Sequence, residues 1–164
     1  GSRIGVGSYG FFLHNRGCGF NLIKDHPNVL GPNKKPLHTL SPTIWSKDGS
    51  LDFITGTRGG RYQPQLLAQN ILPYILGKSS FEEIVKKPRW VIEHFGNNTP
   101  SSIKFEFIEK SDMNSLENKG HKISVENKLI GGYGPISTIY KNLDGKFVGV
   151  PDVRVGTEKA FNNS

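Results

Sequence analysis

An α+β fold follows from three features of this 164-residue chain. Two Asp-Gly dipeptides, Asp48-Gly49 and Asp144-Gly145, sit between apolar runs, which is the pattern of a β-hairpin because glycine accepts the positive φ such turns require. Between them lie segments with a helical look, at residues 64–76 and 111–119. Twenty glycines and ten prolines exceed average usage and argue for many turns and short elements rather than a helical bundle. With 35% hydrophobic and 21% charged residues the composition is that of a globular domain, and residues 1–164 read as a single unit.

Taken in order, the run Phe11-Phe12-Leu13 between Gly10 and Gly17 predicts a short buried strand. A glycine-dense turn follows at residues 16–19, and then a polar loop over 24–36 carrying Pro27, Pro32 and Pro36. Residues 42–46 and 51–56 flank the first Asp-Gly turn as a hairpin. In the helix predicted over 64–76, Leu67, Ile71, Leu72 and Ile75 form the apolar face; Pro64 suits the first turn, and Pro73 predicts a kink or restart. Ser80 and Glu83 have capping-box spacing for a short helix that Lys86-Lys87-Pro88 ends. Residues 103–108 alternate apolar side chains with Lys104 and Glu106, as a strand with one solvent face would. A helix over 111–119 closes at Gly120, and residues 121–125 resume alternation. Residues 135–140 and 146–150 make the second hairpin, and 162–164 read as a frayed tail.

The formal charge is +7, yet the basic residues are scattered, with only short pairs such as Lys34-Lys35 and Lys86-Lys87. No stripe marks a nucleic-acid footprint. A basic fragment is also what an acidic partner chain would balance. No stretch approaches the length of a membrane-spanning run. One cysteine, Cys18, excludes an intrachain disulfide and a multi-cysteine zinc site; between two glycines it reads as a small buried residue or, with a lowered pKa, a reactive thiol. The five histidines, His14, His26, His38, His94 and His121, show no metal-ligand spacing, so no metal is expected.

Thr57-Arg58-Gly59-Gly60, between a strand and a helix, is the most suggestive local feature. Amides at a helix start have no internal partner and favour negative charge, and two glycines let a carbonyl approach them without a Cβ in the way. A flexible turn, an oxyanion hole and a phosphate cradle all fit that description, although the complete Walker signature is absent. His38-Thr39, after the proline-rich loop, and Arg16, as a carboxylate clamp or an exposed arginine, are the other residues to follow.

Read together, three stretches resemble the small subunit of the gamma-glutamyltransferases and their acylase-like relatives. They are Gly10-Phe11-Phe12-Leu13-His14-Asn15-Arg16-Gly17-Cys18-Gly19-Phe20, then Lys35-Pro36-Leu37-His38-Thr39-Leu40-Ser41-Pro42-Thr43-Ile44, then Gly56-Thr57-Arg58-Gly59-Gly60 with Gln63-Pro64-Gln65. Weaker echoes lie in residues 83–90, Gly120-His121, and Asp152 with Arg154. The resemblance implies an N-terminal-nucleophile hydrolase fold, a sandwich of helices around two stacked sheets. It implies a precursor that cleaves itself and a threonine, exposed at the new N-terminus, that attacks a gamma-glutamyl amide with its own α-amine as base. Gly59 and Gly60 then match the oxyanion-hole pair, while the threonine's place falls before Gly1.

The expected partners are the large subunit and the N-terminal part of the small subunit of the same precursor, and the expected substrate is a small-molecule amide. The chain alone is expected to be inactive and to leave apolar faces uncovered. Asn15, Arg16, His38 and Thr39 match the substrate pocket. Where the transferases grip the α-amine and α-carboxylate of the substrate with acidic residues this chain has Arg16 and Gly19, and where they use paired serines it has His38 and Thr39. That is closer to the acylase-like branch and to a glutaryl-like acyl group. The opposing reading is a catalytically dead relative that binds an anionic ligand at the glycine turn.

Overall fold

The computed structural model describes residues 2–93 and 101–156, so His94 and the tail at 162–164 lie outside the described residues. The chain divides into two compact units, Gly1–Thr39 and Leu40–Ser164.

The first unit is built from turns. Short 3-10 helices cover Gly7–Tyr9 and Arg16–Gly19, and isolated bridges join Gly5 to Phe12 and Asn21 to Val29. No described residue of this unit is buried. The buried strand expected at Phe11-Phe12-Leu13 is therefore corrected: all three side chains are exposed, and Phe12 makes only the single bridge. A three-residue apolar run has too little ladder to hold a strand without a second sheet to cover it. Cys18, expected in a core, is exposed on its 3-10 turn. The loop over 24–36 carries no helix or strand, as its prolines imply.

The second unit holds two sheets. β1 (Thr43–Lys47) and β2 (Ser50–Thr57) form the first predicted hairpin. Its two-residue turn has φ 50° at Asp48 and 75° at Gly49, both positive as a type I′ turn demands. β6 (Ile136–Lys141) and β7 (Phe147–Val150) form the second, and all four pair antiparallel in the order β1-β2-β6-β7. The other sheet pairs β3 (Trp90–Glu93) antiparallel to β4 (Ser102–Phe105), and β4 parallel to β5 (Lys122–Val125). The parallel pair needs a crossover, and α3 (Lys110–Asn118) lies in it.

The helix α1 (Gln63–Ile75) packs Leu67 and Ile71 with Phe53 of β2 and Val150 of β7. Phe81 and Ile84 of α2 (Phe81–Ile84) complete that core. A second cluster joins Leu66, Val91, Tyr133 and Ile136. Burial of such side chains stabilises by roughly 1.5–3 kcal/mol each. Leu72 and Ile75, expected on the core face, are exposed instead; Leu66 and Asn70 take the buried places. Pro73 does not divide α1, which ends two residues later. The predicted capping box is present: Glu83 N–H donates to Ser80 Oγ at 3.3 Å, and Ser80 N–H to Glu83 Oε2 at 2.9 Å.

Polar residues of α1 tie it to β2, β3 and β6. Gln65 accepts from Ile92 N–H at 2.7 Å and donates to the same residue's carbonyl at 3.3 Å. Gln69, one turn on, does the same with Trp90 at 3.1 and 2.9 Å. The two amides thus occupy the free edge of β3 as another strand would. Asn70 Nδ2 donates to the hydroxyls of Thr55 (β2) and Thr138 (β6), which bond each other at 2.9 Å.

Glu106 overturns the solvent-face reading of residues 103–108. It is fully buried just past β4, and with Arg89, Asp152 and Arg154 it forms an enclosed ion network. Arg89 Nη2 meets Asp152 Oδ2 at 2.5 Å, and Arg154 pairs with both Glu106 and Asp152. Glu106 also accepts from the N–H groups of Arg89 (2.8 Å) and Ile130 (2.7 Å), and Asp152 from those of Ile136 (2.7 Å) and Arg154 (2.9 Å). Burial pushes the Asp152 carboxyl up, but the Ile136 N–H and Arg89 outweigh it and hold the group below its ordinary value.

A carboxylate with a depressed folded pKa contributes stability that is complete above its unfolded pKa and is lost as the pH falls through the folded value. Asp152→Ala leaves Arg89 and the Ile136 N–H without their partner and is expected to cost about 3–5 kcal/mol at pH 7 in urea unfolding. The wild type is expected to lose stability as the pH drops below about 4, and the variant to lose less over that range.

Candidate active site

The hairpin strand β2 ends at Thr57, and its chain turns through Arg58, Gly59 and Gly60 into a 3-10 turn, Gly60–Tyr62, that runs into α1. Gly60 has φ +56°, a conformation that favours glycine, and space around its absent Cβ. Gly59 is buried, with an ordinary φ of −72°. A Cβ there would lie 2.5 Å from Leu66 Cδ1. Among the described residues, no turn, loop or capping hydrogen bond uses the N–H of Gly59 or Gly60 as donor. Two adjacent amides are thus presented at the start of a helical segment, the arrangement that attracts a negatively charged oxygen.

Gly134 lies against this turn. Its carbonyl accepts from Thr57 Oγ1 at 2.8 Å and from Arg89 Nη1 at 3.1 Å. The ion network therefore reaches the glycine turn through one guanidinium. Beside the turn opens a groove of about 420 Å³ on the other face of the four-stranded sheet, lined by Pro42, Ile54, Gly56, Thr57, Arg58 and Ile139. A larger groove of about 840 Å³ lies between the second sheet and α3, around Trp90, Ile103, Phe105 and Leu116. Neither groove is lined by Gly59 or Gly60 themselves, but the smaller one is lined by Thr57 and Arg58, which lead into the turn, and the larger by no residue of it.

The remaining expected site residues belong to the first unit. Arg16 begins its 3-10 helix, and its Nη1 reaches Thr39 Oγ1 at 3.4 Å across 23 residues of sequence. What permits the approach is Gly19: a Cβ there would stand 2.6 Å from the Leu37 carbonyl oxygen, so only glycine lets the turn lie on the strand of chain leading to Thr39. Asn28 Nδ2 donates to the Gly19 carbonyl and holds the same turn. Arg16 is half-buried, while Asn15 and His38 are exposed beside the pair. The structure brings Arg16 to Thr39 and shows no hydrogen bond from the Asn15 or His38 side chain among the described residues. Gln63, which the sequence placed in the Gln-Pro-Gln run, is buried and accepts from Ser41 N–H at 3.0 Å. Thr57 belongs to the stretch that the sequence singled out, but Gly134 and Arg89 were not expected beside it; the Pro88-Arg89-Trp90 echo hinted at Arg89 and nothing at Gly134.

The gamma-glutamyltranspeptidase family model matches residues 1–161. The chain belongs to that family. It is 31% identical over 138 residues to the glutathione hydrolase-like YwrD proenzyme of Bacillus subtilis (strain 168), covering 83% of this chain and 25% of that one. Against the oxamate amidohydrolase proenzyme of Klebsiella pneumoniae the identity is 28% over 155 residues, covering 94% and 29%. A mutant Helicobacter pylori gamma-glutamyltranspeptidase superposes with a TM-score of 0.76 at 23% identity, covering 94% of this chain and 87% of that one. The fold is accordingly α+β, part of an N-terminal-nucleophile hydrolase sandwich, as the resemblance implied. The chain spans about a quarter of the length of these two curated relatives. Among the described residues no helix is long and apolar enough to cross a membrane.

Gly59→Ala drives its new Cβ into Leu66 at the centre of the second core cluster. Overpacking of this kind is expected to cost about 1–3 kcal/mol, read as a lowered urea midpoint at unchanged slope.

Proposed function

We propose that this chain is part of an enzyme that cleaves or transfers gamma-glutamyl or glutaryl-like amides through a threonine acyl-enzyme, and that it supplies the oxyanion hole. The observation that carries the reading is the Gly59-Gly60 turn. Its two amides stand at the start of a helical segment, next to a groove, with no turn or capping bond among the described residues. Amides held there stabilise the tetrahedral oxyanion without reorganising as charge develops, and the loss of one such donor typically costs 10²–10³ in kcat. The nucleophile comes from outside this chain, as does the rest of the precursor, which forms the large subunit and the start of the small one.

The pair Arg16 and Thr39 supports an acyl group ending in a carboxylate. A guanidinium donates only, so it suits a carboxylate and repels an ammonium group. Thr39 adds a hydroxyl and His38 a neighbouring polar ring. This favours glutaryl-like over α-amino acyl groups. No metal or organic cofactor takes part, because the α-amine of the threonine serves as its base.

Expression of the complete precursor, followed by mass spectrometry, is expected to show cleavage into two chains with threonine first in the smaller. The product is expected to release glutaryl anilide faster than gamma-glutamyl anilide. An uncleaved precursor inert to both anilides would overturn the enzymatic reading in favour of an anion-binding relative. In the processed enzyme, Arg16→Ala is expected to raise KM for glutaryl anilide about tenfold, the typical loss of about 1.4 kcal/mol for a charge-assisted hydrogen bond, with kcat little changed. An unchanged KM would remove Arg16 from the pocket.

A further inference from the structure

The two glycines of the turn do not hold themselves in place. A Cβ built on Gly59 would stand 2.5 Å from Leu66 Cδ1 and 3.6 Å from Gly134 Cα, so both crowd the turn. A Cβ built on Gly134 would lie 2.4 Å from Gly59 Cα, 2.5 Å from Gly59 N and 2.5 Å from Thr57 Oγ1. Each of these is closer than real Cβ contacts come, and two of the three atoms are backbone, which cannot swing away as a side-chain tip can. Gly134 also has φ +52°, so a side chain is disfavoured there on conformation as well as on space. Its carbonyl is fixed from two directions, by Thr57 Oγ1 at 2.8 Å and by Arg89 Nη1 at 3.1 Å. Arg89 is itself pinned to Asp152, which accepts from the Ile136 N–H two residues beyond Gly134. Backbone thus rests on backbone beside the nitrogen and Cα of Gly59.

We propose that Gly134, held by Thr57 and Arg89, is the positioning residue that aims the Gly59 and Gly60 amides. The inference rests on the reading of those amides as the oxyanion hole and adds what sets their direction. Gly134 touches no substrate. A Cβ at that position would displace Gly59 and rotate its peptide, and a donor displaced by a fraction of an ångström loses much of its worth to an oxyanion while still tolerating the ground-state carbonyl.

The test uses the complete processed enzyme with its preferred anilide, and a boronic acid analogue of the acyl group, whose boron becomes tetrahedral on the threonine hydroxyl. Gly134→Ala is expected to lower kcat by about 100-fold, as the loss of one oxyanion donor does, with KM within threefold. Boronate affinity is expected to fall by the same factor as kcat/KM, a correlation that general loss of stability would not produce. Thr57→Val, which keeps the shape and removes the bond to the Gly134 carbonyl, is expected to lose about tenfold in both, on the order of one hydrogen bond, and Thr57→Ser to recover most of it.

Gly134→Ala that folds, processes and keeps kcat and boronate affinity within threefold overturns the proposal. Should that variant fail to fold or to process, Thr57→Val decides in the same way. Gly60→Ala separates the two ideas, since its added Cβ meets nothing and only strains the turn itself. If Gly60→Ala lowers boronate affinity while Gly134→Ala and Thr57→Val do not, the oxyanion reading stands and the positioning role falls. If Gly60→Ala leaves both readouts unchanged, the oxyanion reading falls and takes the positioning role with it.

Discussion

Two arginines and two carboxylates, enclosed with almost no access to water, set the arrangement of the second unit. The network is neutral as a whole, and its four members come from three pieces of chain. Arg89 precedes β3, Glu106 follows β4, and Asp152 and Arg154 follow β7. Arg154 also donates to the carbonyls of Val85 and Lys87 just after α2, both at 2.9 Å. Taking four charges out of water is expensive, and apolar residues of the same volume often match or exceed the stability of such a group. Apolar contacts do not, however, fix the position of an individual peptide group. This network fixes several: the N–H groups of Ile130 and Ile136 and the carbonyl of Gly134 all end on its side chains.

That distinction explains why the charges sit where they do. The segment from Ile130 to Ile136 has little regular structure before β6 begins, so its backbone groups need partners from elsewhere. The ions supply them. Once Gly134 is fixed, Thr57 and Gly59 are located by contact with it, from the sheet side, while α1 fixes the same turn from the helix side through Leu66. The helix is in turn anchored by amide side chains: Gln63 to the approach of β1, Gln65 and Gln69 to the edge of β3, Asn70 to β2 and β6. Tertiary anchors of this kind determine the direction of the helix far more than propensity does.

What could be read from the sequence was what local chemistry decides. The Asp48-Gly49 turn, the capping box of Ser80 and Glu83 and the glycine turn before α1 each lie within a few residues, and each is present. Glu106 could not be read, because alternation with Ile103 and Phe105 looks the same whether the polar face meets water or a buried arginine. Its partners lie 17 and 48 residues away. Leu72 and Ile75 failed for the opposite reason: helical period names a stripe, but the width and phase of the buried part depend on which strands lie beneath it. Gly134 gave no signal beyond being a glycine, since its role consists of a contact made 75 residues away. At Phe11-Phe12-Leu13 hydrophobicity was mistaken for burial, a one-way rule.

The glycine turn of the second unit and the pair Arg16 and Thr39 of the first are held in different ways. The glycine turn rests on Leu66 of the second core cluster and on the backbone of Gly134, which Arg89 of the buried ion network holds, so a displaced atom is felt at once. Arg16 and Thr39 sit in a unit with no buried residue among those described, held by turns, by the close approach of Gly19 to Leu37 and by a few hydrogen bonds. Substitutions there meet little packing resistance. A substitution at Arg16 is therefore opposed by little packing, whereas a Cβ added at Gly134 meets the backbone of Gly59 at once. Packing of this kind leaves the turns of the first unit free to vary while the glycine turn is held.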